Sequence, residues 1–168
     1  MIFVTVGTNE ARFDRLLGAV AGLTIDEELL IQHGHSSPMQ AERAELVDFL
    51  PFDAMVETIR RARVVVTHAG VGTVMIALAN GTRPIVIPRL KVFGEAVDDH
   101  QLQLGRRFAE AGLVTLIESL DALGNAVQNQ SGEAPRLSPS NSLAADLRAF
   151  LDELITPSGM QAKAPARA

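Results

Sequence analysis

The 168-residue chain contains no cysteine, which excludes disulfides, thiolate zinc sites and a cysteine nucleophile together and suits a cytosolic setting. It also lacks any basic cluster: 15 Lys and Arg stand against 20 Asp and Glu, a formal net charge of -5. Without a basic patch there is no electrostatic footprint for nucleic acid or anionic lipid, so direct nucleic-acid binding is not expected. The opening Met1-Ile2-Phe3-Val4-Thr5-Val6-Gly7 has no positively charged leader and only a short apolar run. It is expected to be a first strand rather than a signal peptide or a membrane span. No internal repeat is visible.

What is present is the composition of an ordinary globular domain, 47% apolar and 21% charged, far from the disordered regime. Domains typically take roughly 100 to 200 residues, so a single domain over residues 1–155 is expected, followed by a disordered tail at 156–168.

Strand and helix patterns alternate along this domain. Ile2 to Val6 reads as a strand closed by Gly7-Thr8-Asn9, and Phe13, Leu16, Leu17 and Val20 then recur at helical spacing. Leu29-Leu30-Ile31 reads as a second strand, Leu46 to Leu50 as a short third ended by Pro51, and Met55, Ile59 and Ala62 as a helix. Arg63 to Thr67 is an apolar run suited to a central parallel strand buried on both faces. A helix follows from Gly72 or Thr73 to a cap at Asn80-Gly81. Pro84 to Pro88 is a fifth strand, Asp98 to Ala111 a helix and Leu113 to Ile117 a sixth strand; about 129–141 is a loop, and Leu143, Leu147, Phe150, Leu151 and Leu154 stripe a final helix. The expected fold class is α/β, a doubly wound, mostly parallel Rossmann-like sheet with helices on both faces. In that architecture ligands sit at the carboxyl ends of the strands.

The loops after the strands carry the chemistry. Thr67-His68-Ala69-Gly70-Val71-Gly72-Thr73 lies where a buried strand hands over to a helix. Glycines there let a backbone approach a ligand, and free N–H groups with the helix dipole favour an anion such as a pyrophosphate. Thr73 and His68 add donors. The alternative is a tight turn and nothing more. A dinucleotide fold would need its glycine fingerprint after the first strand and an acidic residue ending the second, where this chain has only Gly7 and then Gln32-His33. Asp98-Asp99-His100-Gln101 either caps a helix or presents Asp99 and Gln101 to sugar hydroxyls, with His100 toward a phosphate. Gln32-His33-Gly34-His35 reads as an exposed loop, a metal pair or donors facing the site; no third ligand is suggested, so zinc is not expected. Arg89 and Lys91 form a small solvated basic group placed to meet a negative ligand.

Taken together, Val6-Gly7-Thr8, Gln32-His33-Gly34, His68-Ala69-Gly70-Val71-Gly72-Thr73, Gly81 with Pro84, Pro88-Arg89 and Asp99-His100-Gln101 resemble the glycosyltransferase family 28 C-terminal domain over about residues 1–125. This is the donor-binding half of GT-B enzymes, and the match looks most like PssE-type small subunits of bacterial exopolysaccharide glycosyltransferases and the small subunit of the dolichol-linked UDP-GlcNAc transferase. The resemblance implies a donor-binding catalytic subunit that takes a UDP-sugar as substrate, with no cofactor. It implies a membrane-associated partner holding a polyprenyl-linked saccharide acceptor, and a cytoplasmic location at the inner face of the membrane through that partner. It places Gly70 to Thr73 at the donor phosphates, Gln101 and its neighbours at the sugar, the backbone near Phe52 at the uracil, and Gly7-Thr8-Asn9 along the cleft between the halves. Many relatives carry a glutamate for the ribose hydroxyls in the helix after the glycine loop, where this chain has Ile76. No catalytic base is assigned; it is expected on the partner. The other expectation is a non-catalytic nucleotide-sensing or scaffolding subunit with the same fold.

Overall fold

The apolar runs do form strands, and all of them are parallel. In the computed structural model, which describes residues 1–38 and 43–130, β1 is Ile2–Thr5, β2 Leu29–Gln32, β3 Ala44–Val47, β4 Val64–His68, β5 Ile85–Ile87 and β6 Thr115–Leu116. They make one six-stranded sheet in the order β3-β2-β1-β4-β5-β6, each neighbour pairing parallel. The helices are α1 Asp14–Ala21, α2 Phe52–Arg61, α3 Val71–Ala79, α4 His100–Glu110 and α5 Leu123–Asn129. The chain divides into two units, Met1–Leu137 and Ser138–Ala168, and the description concerns the first. The expected final helix at Leu143 to Leu154, the boundary near 155 and the tail lie outside the described residues.

Successive side chains of a strand point to opposite faces of the sheet, and here they feed two separate cores. Ile2, Val4 and Val6 of the first strand and its exit, with Val64, Val66, Ile85 and Ile87, pack against Phe13, Leu16, Leu17 and Val20 at α1 and Leu123 and Val127 of α5. Phe3 and Val65 point the other way, onto Ile59 of α2 and Ala77 of α3. Because both faces are covered, the central strands carry hardly a polar residue until their carboxyl ends, where Thr5, Gln32 and Thr67 are buried. Among the described residues no helix is long and apolar enough to cross a membrane.

Several element ends shift by a residue or two from the sequence reading, and two differences are larger. The third strand runs Ala44–Val47 instead of Leu46 to Leu50, because the β2 ladder pairs Leu29 with Ala44 and Gln32 with Val47. Leu50 leaves the ladder and gives its N–H to the Gln32 side chain at 3.0 Å. Helix α5 was not expected at all; Leu123 and Val127, four residues apart, are its buried positions, a helical spacing too short to stand out in a seven-residue element.

The order places β1 and β4 side by side although the chain first builds outward to β3 and then returns. This reversal opens a crevice at the carboxyl edge between them. The turns that leave β1 and β2 touch there: Gly7 and Gly34 both have left-handed backbones, φ 78° and 54°, and a Cβ on Gly34 would sit 2.9 Å from the Gly7 carbonyl oxygen. Gly34→Ala therefore combines a strained φ with a backbone collision. It is expected to lower unfolding free energy by about 2 kcal/mol or more, measured by urea titration, where a loss under half that size would contradict the contact.

Candidate functional site

The crevice between β1 and β4 is a cleft of about 450 Å3 lined by Gly7, Thr8, Asn9, Gln32, Met55, His68, Gly70, Gly72, Thr73 and Ile76. One wall is the turn that leaves β1 and the opposite wall is the start of α3. The first intrahelical bond at that start runs from the Val74 N–H to the Gly70 carbonyl at 3.1 Å, so the N–H groups of Val71, Gly72 and Thr73 have no intrahelical acceptor. Gly70, the N-cap, offers no side chain to satisfy them. Three free donors stand at the positive end of a helix dipole, and two of their residues, Gly72 and Thr73, line the cleft, an arrangement that suits an anion.

The three glycines of the cleft do different things. A Cβ on Gly7 would lie 2.4 Å from His68 Cε1, and one on Gly70 would lie 2.1 Å from His68 Nε2. Both glycines make room for the imidazole ring, which sits between the two turns. A Cβ on Gly72 would meet nothing within 4 Å, so the space there is open to a ligand. The ring of His68 stands 3.3 Å from Thr67 Oγ1 through Nδ1. Burial, and secondarily the nearby charge of Arg89, push its pKa down to about 4. At neutral pH it is an uncharged imidazole.

This architecture has counterparts among solved glycosyltransferases. The glycosyltransferase of kitacinnamycin matches 92% of this chain with a TM-score of 0.54 and 19% identity, this chain covering 39% of its length. The calicheamicin glycosyltransferase matches 91% of the chain at TM-score 0.57 and 15% identity, with 37% of its own length covered. MurG of Acinetobacter baumannii matches 74% of the chain at TM-score 0.53 and 18% identity, with 40% covered. At these identities the likeness is one of fold, and the chain spans about two fifths of each. No curated protein matches the chain. Residues 1–150 match the glycosyltransferase family 28 C-terminal domain. The chain belongs to that family.

In this family 28 domain the cleft gathers Gly7, Thr8, Asn9, His68, Gly70, Gly72 and Thr73 of the residues expected at the site. Ala69 is buried behind the loop and Val71 opens α3 beside it. Phe52 begins α2 with 63% of its surface exposed but does not line the cleft; Met55, one turn further on, does. Met55 was missed as a site residue because an apolar residue at helical spacing reads as core, and of the segment Gln32-His33-Gly34-His35, left open between loop, metal pair and site donors, Gln32 alone lines the cleft. Gln32 carried a signal, a polar residue ending an otherwise apolar strand.

Arg89 is the main correction. It is not solvated: it has no exposed surface. Its guanidinium donates to the carbonyls of Val6 at 2.9 Å, Ala11 at 2.7 Å, Arg12 at 3.2 Å and Glu95 at 3.4 Å, and it lies 4.7 Å from the centre of the Phe13 ring. These bonds hold it inside the protein, so it is not a surface reader of a donor's carboxylate. Gln101 is likewise buried, and its Oε1 accepts the Arg89 backbone N–H at 3.1 Å. Asp99 caps the preceding loop by accepting the Lys91 N–H at 2.9 Å. The Asp98 carboxyl is held below its ordinary range chiefly by the backbone N–H of His100, whose ring it also contacts. Asp99, His100 and Gln101 thus stand at the start of α4, outside the cleft lining. His33 is buried and bridges the Ser36 carbonyl and Asp48, which corrects its reading as an exposed loop residue; His35 is exposed, edge-on to Phe49. Among the described residues no group of three metal-ligating side chains comes together.

The lowered pKa of His68 has a consequence for stability. The unfolded imidazole titrates near 6.5 and the folded one near 4, so between those values the unfolded chain binds the extra proton. The contribution of His68 is complete above pH 6.5 and is lost as pH falls toward 4. The urea midpoint of the wild type is expected to fall across that window more steeply than that of His68→Gln, and equal slopes would show that the ring is not desolvated.

Proposed function

We propose that this family 28 domain is the donor-binding catalytic subunit of a two-component glycosyltransferase, moving a sugar from a UDP-sugar to a polyprenyl-linked acceptor in polysaccharide biosynthesis. A membrane-associated partner holds the acceptor and brings the domain to the cytoplasmic face of the membrane. The observation that carries this reading is the cleft at the strand-order reversal, where the unpaired N–H groups of Val71, Gly72 and Thr73 meet open space at Gly72. In sugar transfer the developing negative charge collects on the leaving diphosphate, and preformed donors at that point lower the barrier. Neutral His68 adds a hydrogen-bond donor without competing as a cation.

The same lining argues for a partner. Among the described residues His68 is the one titratable side chain in it, and a group with a pKa near 4 is a weak base at neutral pH. The proton of the acceptor hydroxyl then goes to a base supplied from across the cleft. The exposed large apolar side chains among the described residues are Phe49, Phe52, Val92, Phe93 and Val97. All lie in segments that follow the carboxyl ends of β3 and β5, on the two sides of the cleft. Apolar side chains flanking a half-open cleft suit a covering domain, and the solved enzymes, of which this chain covers 37% to 40%, have room for one.

Calorimetry with UDP and UDP-sugars, on the chain alone and with its partner, tests the reading; absence of binding in both states would overturn it. Binding without transfer in the complex would make the domain a nucleotide-sensing subunit. Gly72→Asp places a carboxylate where phosphate is expected, at a position where an added Cβ meets nothing within 4 Å. It should weaken UDP binding by on the order of a hundredfold and leave the thermal midpoint close to that of the wild type. Val92→Asp with Val97→Asp, at side chains 79% and 85% exposed, should abolish transfer in the co-expressed complex and leave UDP binding intact. An active complex would move the interface elsewhere.

A further inference from the structure

The nucleoside end of the cleft has an unusual chemistry for a ribose. Gly72 and Ile76 both line the cleft and stand one turn apart on α3, so they share a face, about 6 Å apart along the axis. With the diphosphate at Gly72, a chain of that length reaches the pentose at Ile76. Met55 of α2 lines the same end. Ile76 and Met55 both pack onto the cluster of Phe3, Ile59, Val65 and Ala77, which fixes them as a wall.

Among the described residues that wall has no uncommitted side-chain amide or hydroxyl, and no carboxylate lines the cleft. Gln32 is spent inside the protein, its Oε1 on the Leu50 N–H at 3.0 Å and its Nε2 on Thr5 Oγ1 at 3.1 Å. Asn80, one turn beyond Ile76, donates its Nδ2 to the Ile76 carbonyl and accepts the Arg60 Nε–H on its Oδ1. The uncommitted hydroxyls, Thr8 and Thr73, stand at the phosphate end. A 2′-hydroxyl moved from water against Ile76 and Met55 exchanges good hydrogen bonds for none.

We infer that Ile76 makes this site indifferent or averse to the 2′-hydroxyl, so that it accepts 2′-deoxynucleoside diphosphate donors at least as well as the ribonucleoside forms. The inference rests on the donor-site reading and deepens it by naming the nucleoside class. It uses Ile76 as a specificity-determining side chain, in contact with the pentose.

Calorimetry of the full chain with UDP, 2′-deoxyuridine diphosphate and thymidine diphosphate tests it, the first pair isolating the hydroxyl from the base methyl. The deoxy form is expected to bind as tightly as UDP or more so. A preference for UDP of threefold or more overturns the inference while leaving the donor site standing, whereas no binding of any of the three, to the chain alone or with its partner, removes the donor site itself. Ile76→Glu, which supplies the missing acceptor, should shift the ratio toward UDP by roughly tenfold, and Ile76→Gln should shift it the same way by less. A folded variant with an unchanged ratio places the pentose away from Ile76 and also overturns the proposal.

Discussion

A guanidinium with no exposed surface imposes strict demands on its surroundings, since an arginine taken out of water costs several kcal/mol unless its donors find acceptors. Arg89 meets that demand at both terminal nitrogens, its Nε finding no partner, with carbonyls drawn from three places: Val6 at the exit of β1, Ala11 and Arg12 at the approach to α1, and Glu95 in the loop after β5. Its backbone N–H binds Gln101 in the first turn of α4. One residue therefore links four segments at the carboxyl edge of the sheet. Arg15 reinforces the junction by pairing with Glu95 and donating to the Pro88 carbonyl, while Glu95 also takes the Leu90 N–H.

The site inherits its electrostatics from that arrangement. The charge of Arg89, buried behind the cleft, joins desolvation in keeping His68 neutral, so the lining offers directed dipoles and hydrogen bonds in place of fixed charge. Helix-end N–H groups need no countercharge and do not reorganise when a ligand arrives. The glycines divide the work: Gly7 and Gly70 clear space for the His68 ring, and Gly72 clears space for whatever binds. A glycine-rich loop is thus partly a device for seating a protein side chain and only partly a cradle for phosphate.

Much of this could be read along the chain. The strand run Val64 to Thr67 is apolar because it is covered on both faces, and Asn80-Gly81 ends α3 with Gly81 at φ 79°, because a left-handed residue is needed there. Leu46 to Leu50 misled because register belongs to the pair: β3 is defined by where β2 offers hydrogen bonds. Arg89 misled for a related reason. An arginine next to a loop reads as solvated when only its neighbours in sequence are considered, and all but one of its carbonyl partners, those of Val6, Ala11 and Arg12, lie more than seventy residues away.

By itself the sequence determined the alternation of strands and helices, the parallel sheet and the placing of a glycine loop after a central strand, because hydrophobic periodicity and turn residues act locally. Only the tertiary structure decided that the β1 turn and the α3 start form one cleft, that Met55 and Gln32 line it, and that Arg89 is interior. Those facts depend on strand order and on which distant carbonyls converge, and chain order holds no record of either until the sheet has closed.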